Sequence, residues 1–370
     1  MILMEPEVDI AVVGGGVVGC AVASKLARTR SSVVLLEGGD RLGDGVTSRN
    51  SGVIHSGLYY PPGSLKALTC VRGNALLYEW AQARGVAHKR PGKLVIACDS
   101  AAVGELEALA ANARANGAPG VALVTSEFVR AREPSLDATA ALWCPQTGIV
   151  DAVELARSLA SDAAEHGALV LTRARVRAIG RDGAAYQLET DRGPMRAARV
   201  VNAAGLHADE VAALAGVTRY RIHPWRGDYF RYSPRTRHQH LIYPVRKRGA
   251  AGLGVHLTLD LAGRCRLGPD VEHVQRKDDY SPREEKLPAF LEAARALFGD
   301  VTADQISYDG CGIRPKLRAP GDPEEKDFVL SEDLPGFVNL IGIESPGLTA
   351  ALALAERVAA IARPARRTKE

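Results

Sequence analysis

Apolar and polar positions alternate along this chain in blocks that predict most of its elements. Val8-Asp-Ile-Ala-Val-Val13 is a short β-branched run that reads as a buried strand. It ends in Gly14-Gly15-Gly16-Val17-Val18-Gly19 and passes into the helical stretch Cys20-Ala-Val-Ala-Ser-Lys-Leu-Ala27. A second apolar run, Val33-Val34-Leu35-Leu36, ends in Glu37. Residues 43–60 are too rich in glycine and small polar residues for a core element and read as an extended loop lying against a ligand. Ser64 caps a predicted helix over 65–84 that Gly85 stops. A strand is expected at 93–97, and an alanine-rich helix at 101–115 ended by Gly117. The stretch 147–151 opens a further helix over 152–165, with Asp151 as its cap.

Residues 169–190 read as a small antiparallel meander turning at Asp182-Gly183, and 199–204 as a buried strand ending at Gly205 and followed by a helix holding Asp209. From Tyr220 the pattern changes to alternating strands at 228–232, 241–245, 253–259 and 264–267. In the third of these, Leu253, Val255, Leu257 and Leu259 fall on one side and Gly254, His256, Thr258 and Asp260 on the other. A sheet with one apolar and one polar face is the expected wall of a substrate chamber. Ser281-Pro282-Arg283-Glu284 reads as a capping box starting a helix to Phe298. The opening pattern then returns: a strand at 337–341, a turn at 342–347, and a helix at 348–362 capped by Ser345 with Pro346 at its first position.

The opening strand, glycine turn, helix, strand and acid stand in the order of a βαβ dinucleotide-binding unit. Gly14 permits the tight turn, Gly16 lets the backbone approach a pyrophosphate, and Gly19 lets helix and strand pack closely. The helix start would hold the phosphate charge, and Glu37 would accept hydrogen bonds from a ribose.

Length and composition narrow the rest. A chain of 370 residues can bury a sizeable core and suggests two domains. No apolar run approaches the ~18 residues that suggest a membrane span, although peripheral membrane contact stays open. The acidic start, Met-Ile-Leu-Met-Glu-Pro-Glu, does not resemble a signal peptide, so a cytoplasmic location is the expectation. Six cysteines without paired spacing point to buried hydrophobes and no metal. A net charge of +4 favours anionic small molecules, and no basic block is dense enough for nucleic acid; Arg366-Arg367-Thr-Lys369 reads as a solvated end.

Dinucleotide-like pieces recur near 8–57, 199–206 and 310–350 and enclose a separate sheet domain. That interleaving fits an extended FAD, its adenine end at 14–37 and its flavin end near 50–55, Arg314 and 342–349. The fold class expected is α/β with an α+β second domain: a Rossmann-like FAD-binding domain (1–85, 145–219, 310–370) interleaved with a smaller antiparallel-sheet substrate domain (86–144, 220–309). A helix start at 345–349 would suit the flavin edge where negative charge builds on reduction.

The chain resembles the D-amino-acid-oxidase-like superfamily of FAD-dependent oxidoreductases, and more narrowly its L-2-hydroxyglutarate dehydrogenase/oxidase branch. The residues carrying this are Asn50-Ser-Gly-Val-Ile-His-Ser-Gly-Leu-Tyr-Tyr60 with Pro62-Gly-Ser-Leu-Lys66-Ala67, and Pro224-Trp-Arg-Gly-Asp-Tyr-Phe230. His240-Leu-Ile-Tyr-Pro244, Leu253-Gly-Val-His-Leu-Thr258 and Gly312-Ile-Arg314-Pro315 add to it. Thr47-Ser-Arg49-Asn50 and Gly342-Ile-Glu-Ser-Pro-Gly-Leu-Thr349 look instead like a neighbouring FAD-dependent glycerol-3-phosphate dehydrogenase group. The full cofactor set is then Gly14, Gly16, Val17, Val18, Gly19, Glu37 and Gly38; Thr47, Ser48, Arg49, Asn50, Ser51, Gly52 and Val53; Val176, Ala204 and Gly205; and Gly312, Arg314, Glu344, Ser345, Pro346, Gly347, Leu348 and Thr349.

Oxidising a secondary alcohol requires a base for the hydroxyl proton while hydride leaves carbon, and histidine suits that task. His55, directly after the flavin-facing loop, is the first choice. His256 is the second, with a structural hydrogen-bonding role as its rival reading. Arg314, read as sitting on a constrained turn, would bind a carboxylate bidentately. Lys66 would bind a second carboxylate or else be a solvated surface lysine, and Arg226, Tyr243 and Tyr60 would line the chamber; Trp225 and Tyr229 read as packing residues. The expected reaction is oxidation of an L-2-hydroxy acid, foremost L-2-hydroxyglutarate to 2-oxoglutarate. Oxidation of glycerol 3-phosphate or an amino-acid amine is the alternative, and a flavin redox sensor the non-enzymatic one. Oxygen, a quinone or an electron-transfer protein could each take the electrons.

Overall fold

A computed structural model describes residues 7–29, 31–245 and 254–362. Leu253 and the 366–369 tail lie outside the described residues, as do the first six positions. The chain packs as two compact units, Met1–Ser48 with Ala152–His223 and Pro315–Glu370, and Arg49–Asp151 with Pro224–Arg314. The sequence boundary at residue 85 therefore falls elsewhere: the 49–64 loop and the helix Leu65–Arg84 pack within the second unit. Both units mix helices and sheet, an α/β architecture.

In the first unit, strands Glu7–Val13 and Val33–Leu36 and the helix Val17–Ala27 stand where the hydrophobic pattern placed them. The parallel core of the sheet runs Phe337–Ile341, Gly193–Asn202, Glu7–Val13, Val33–Leu36 and Leu169–Leu171. Ala11, Val13, Val34 and Leu36 share one cluster with Tyr186, Leu188 and Phe337, while the alternating Ile10, Val12, Val33 and Leu35 are equally buried. Burial on both faces explains why these strands read as unbroken apolar runs. The helix Val17–Ala27 packs against Ala152–Glu165 and Gly347–Ile361. Buried Asp162 ties it to its neighbour, accepting from Ser24 Oγ at 2.6 Å and from the Arg28 guanidinium.

The meander differs from expectation. Leu169–Leu171 pairs in parallel with Val33–Leu36, and the antiparallel part is Val176–Asp182, Ala185–Thr190 and the first half of Gly193–Asn202. The last helix begins at Gly347 with Pro346 as its N-cap, one position beyond the expected cap at Ser345.

The second unit is built on a sheet of nine strands among the described residues. Its path is Glu272–His273, His223–Tyr232, Cys265–Leu267, Leu257–Leu259, Leu241–Pro244, Lys93–Ala97, Ala140–Cys144 and Ala122–Thr125, with Ile306–Lys316 beside His223–Tyr232. It is not wholly antiparallel: Leu241–Pro244 and Lys93–Ala97 run parallel. A smaller sheet joins Val53–Ile54, Gly148–Val150 and His88–Lys89. Residues 148–150 are thus strand rather than a helix approach. The helix Leu65–Arg84 has the predicted ends: Ser64 Oγ accepts from Ala67 N at 3.1 Å, and Gly85 closes it at φ 68°.

The expected capping box at Ser281 does not form. Ser281 Oγ donates to Asp279 at 2.6 Å and Arg283 is drawn to Glu272 and Asp279, so the helix Leu287–Phe298 begins six residues later, after one 3-10 turn. The expected polar face of Leu257–Leu259 is also closed, because His256 and Thr258 are as buried as Leu257 and Leu259. Among the described residues no helix is long and apolar enough to cross a membrane.

Candidate active site

In the first unit the glycine turn is built to approach something closely. Gly14 sits at φ 112°, and a Cβ there would lie 2.5 Å from Ala203 O; a Cβ on Gly19 would lie 1.8 Å from Gly14 O. Only hydrogen fits at either position. Gly16 is the N-cap and offers no side chain to the helix start. Thr47 Oγ1, from the following loop, accepts from Val17 N at 3.0 Å and ties that loop to the turn.

Glu37 closes the strand end, with Oε2 accepting from Gly15 N at 2.8 Å and Oε1 from Gly39 N at 2.6 Å. These two bonds use half of a carboxylate's acceptor sites and orient the rest. Gly38 lies against the Arg175 side chain, and Ser48 Oγ donates to the carbonyls of Asp44 and Gly45. Asn202 Oδ1 accepts from Ala204 N at 3.3 Å beside Gly205, at φ 57°, and Val176 is a buried strand residue.

A second helix start in the same unit is made by Gly347, Leu348 and Thr349, the last fully buried. Gly342 reaches φ 70° there, and a Cβ on it would strike Leu317 at 2.7 Å. Glu344 pairs with Lys316 at 3.3 Å. These residues fit an FAD held by its diphosphate: the crowded glycine turn, the helix start without a side-chain cap, and an oriented carboxylate at the strand end are the parts that such a group requires.

The second unit gathers the residues proposed for chemistry. The loop 49–53 is pinned from several sides. Gly312 admits Arg49 O at a place 2.0 Å from where a Cβ would stand, Asn50 Oδ1 accepts from Gly52 N at 2.7 Å, and Gly52 O accepts from Val150 N at 2.9 Å. Arg49 lies over the Tyr280 ring at 4.4 Å. Val53 pairs with Ile149, which fixes the direction of the chain into His55, and Asn74 Nδ2 donates to His55 O at 2.9 Å. Ser51 bonds the hydroxyl of Tyr229, whose ring carries Arg266 at 4.2 Å.

His256 is 4% exposed and stacks on Tyr243, with ring centroids 3.8 Å apart. Its Nδ1 lies 2.9 Å from Gly254 O, so Nδ1 carries the proton and Nε2 is the basic atom. Burial, with the charge of Lys93 and of the neighbouring histidine or Arg314 added, pushes both His55 and His256 down to about 3. Both rings are neutral at neutral pH. His55 keeps part of its surface open, whereas His256 does not.

Arg314 lies within the strand Ile306–Lys316, not on a turn. Its Nη1 donates to Asp270 O at 3.3 Å, and its Nη2 would be 2.8 Å from a Cβ on Gly227. Lys66 is buried at 7% exposure, which removes the solvated surface reading; Tyr60 is half-buried near the same helix start.

Arg226 corrects the sequence reading. Its guanidinium is fully buried and spent on Asp228, the carbonyls of Asp279 and Ser281, and the Tyr308 hydroxyl, within a network that also holds Lys286, Asp270 and Glu272. It braces the sheet instead of lining a chamber. Burial pushes the thiols of Cys20, Cys70 and Cys265 up to about 12 and Cys144 to about 11, leaving them inert.

Two residues were not singled out by the sequence reading, Lys93 and Tyr59, and Tyr229 was read there only as a packing residue. Lys93 is fully buried, its ammonium 4.8 Å from the Tyr59 ring centre and 4.5 Å from that of Tyr243. The only signal was a lysine heading an otherwise apolar strand, Lys93–Ala97.

Comparison with known proteins agrees with this geometry. The family model for FAD dependent oxidoreductase, DAO, matches residues 9–361. The chain is 33% identical to L-2-hydroxyglutarate dehydrogenase, mitochondrial, of Arabidopsis thaliana, over 96% of this chain and 84% of that protein. It is 30% identical to glycerol 3-phosphate dehydrogenase of Caloramator mitchellensis, over 94% of this chain and 72% of that protein. Among solved structures, L-alpha-glycerophosphate oxidase from Mycoplasma pneumoniae with FAD bound superposes with a TM-score of 0.88 at 24% identity, covering 97% of this chain and 95% of that one.

Proposed function

The chain belongs to the DAO family of FAD-dependent oxidoreductases, and from that premise we propose that its substrate is an L-2-hydroxy dicarboxylate, foremost L-2-hydroxyglutarate, oxidised to 2-oxoglutarate. FAD is its cofactor and, when bound, supplies the acceptor for the hydride leaving carbon 2. The chain's own residues do the rest. His55, neutral and partly open, takes the hydroxyl proton as the carbonyl forms. The Nδ1 bond to Gly254 O and the stack on Tyr243 fix the orientation of His256. Arg314, with most of its donors uncommitted to a carboxylate of the protein, binds the substrate carboxylate next to the reacting carbon.

One observation carries this reading: His55, His256, Arg314 and Lys93 share one unit, and the Tyr243 ring stacked on His256 also carries the Lys93 ammonium. The mitochondrial L-2-hydroxyglutarate dehydrogenases at 33 to 39% identity support the choice of substrate. A second reading, glycerol 3-phosphate, is favoured by the Caloramator mitchellensis relative. The holoenzyme incubated with each compound and an artificial dye acceptor separates them. Formation of 2-oxoglutarate from the L isomer alone is expected, and dihydroxyacetone phosphate in its place would transfer the assignment.

A further inference from the structure

Buried polar groups in folded proteins are almost always bonded, so two adjacent exceptions call for an explanation. Lys93 Nζ and Tyr59 Oη are both buried and both lack a hydrogen-bond partner among the described residues. They are neighbours, since the ammonium stands over the Tyr59 ring. Among the described residues no carboxylate pairs with Lys93. Its strand register sets it beside Leu241 and Cys144, and the ionisable groups that act on it or feel its charge include His55, His256, Cys70 and Cys144.

An isolated ammonium in such a place costs several kcal/mol, and a purely structural site would select methionine or leucine there. A cation with two tyrosine rings beside it and a phenol hydroxyl without an acceptor is instead a receptor for a negatively charged oxygen. Burial holds the Tyr59 hydroxyl well above the usual tyrosine range, so it remains a donor.

We propose that Lys93 and Tyr59 form the subsite for the distal carboxylate of the substrate and so select dicarboxylates over monocarboxylates. This rests on the 2-hydroxy dicarboxylate reading and adds the residues that impose it. The Tyr243 ring that stacks on His256 at 3.8 Å also carries the Lys93 ammonium at 4.5 Å, so the cation belongs to the same group of side chains as the basic ring. Burial pushes the Lys93 amine below the usual lysine range, and a bound anion would offset that penalty.

The test compares substrates and variants in the FAD-loaded enzyme. Lys93→Met and Tyr59→Phe each preserve shape while removing a polar head. The ratio of kcat/KM for L-2-hydroxyglutarate to that for L-2-hydroxypentanoate should fall by about 30-fold or more in Lys93→Met, the scale for losing one partner of a buried charge pair. It should fall by a smaller factor in Tyr59→Phe, and Lys93→Arg should restore part of the loss. Thermal shift by glutarate, which cannot be oxidised, is the second readout. Wild type should be stabilised by glutarate and not by pentanoate, and Lys93→Met should lose the difference. Equal losses for both substrates, or a glutarate shift that survives in both variants, would overturn the subsite. Wild-type enzyme that binds glutarate through Lys93 yet leaves L-2-hydroxyglutarate unoxidised would refute the reaction while keeping the subsite.

Discussion

Taking the protein from pH 7 to pH 5 protonates His256 in the unfolded chain and leaves it neutral in the folded one. The ring's ordinary value is 6.5, and in the fold burial, offset in part by the Gly254 carbonyl and reinforced by Lys93 and Arg314, brings it down to about 3. The sign follows directly. The unfolded state binds the proton first, so the stability tied to this group is complete above 6.5 and declines as the pH falls toward 3. Each pH unit below 6.5 costs about 1.4 kcal/mol, so at pH 5 the ring costs about 2 kcal/mol. The assay is urea unfolding of wild type and His256→Gln at both pH values, at fixed FAD. Groups such as Glu133 and Lys93 titrate in both proteins and cancel in the comparison. Whatever gap separates the two proteins at pH 7 should shift by about 2 kcal/mol in favour of the variant at pH 5. A gap independent of pH would mean that the folded ring titrates near its ordinary value, and the buried neutral base would be lost with it.

Further outcomes follow from other contacts. Because His55 is neutral far below its ordinary range, kcat/KM should show no histidine limb between about pH 7.5 and 5.5; a limb near 6.5 would refute that assignment. Gly227→Ala places a methyl 2.8 Å from Arg314 Nη2 and 2.7 Å from Pro269, so KM should rise and stability fall by about 1–3 kcal/mol, read by kinetics and unfolding; unchanged KM would remove Arg314 from substrate binding. Gly19→Ala puts Cβ 1.8 Å from Gly14 O and should abolish the flavin absorbance of purified protein, whereas a fully yellow variant would contradict the placement of the diphosphate. Glu133 accepts from His238 and His240 and from two backbone N–H groups, bonds that outweigh the burial penalty and hold its carboxyl at about 2. Glu133→Gln should cost about 2–3 kcal/mol near neutral pH, with the cost fading as the wild-type carboxylate protonates below 4.5.

What the sequence disclosed and what it hid divide along a physical line. The strand Glu7–Val13, the glycine turn and the helix Leu65–Arg84 are specified by neighbours in sequence, through periodicity, Ser64 and Gly85, and the fold follows them. The start of Leu287–Phe298 is not: the Ser281 hydroxyl donates to Asp279 instead of capping the helix, and Arg283 beside it is held by Glu272. Arg226 fails for the same reason, since its partner Asp228 is close in sequence but its other acceptors come from 279–281 and 308. His55, His256 and Arg314 could be singled out as candidates because their residue types and motifs mark chemistry. Lys93 was hidden because a lysine at a strand end ordinarily reaches solvent, and the Tyr59 and Tyr243 rings that stand against its ammonium come from distant parts of the chain.

The most direct measurement is anaerobic mixing of the FAD-loaded protein with L-2-hydroxyglutarate, followed at the long-wavelength flavin band. The account predicts rapid, complete bleaching by the L isomer, and slow or no bleaching by the D isomer or by glycerol 3-phosphate. A band that persists with L-2-hydroxyglutarate and bleaches with glycerol 3-phosphate would contradict it.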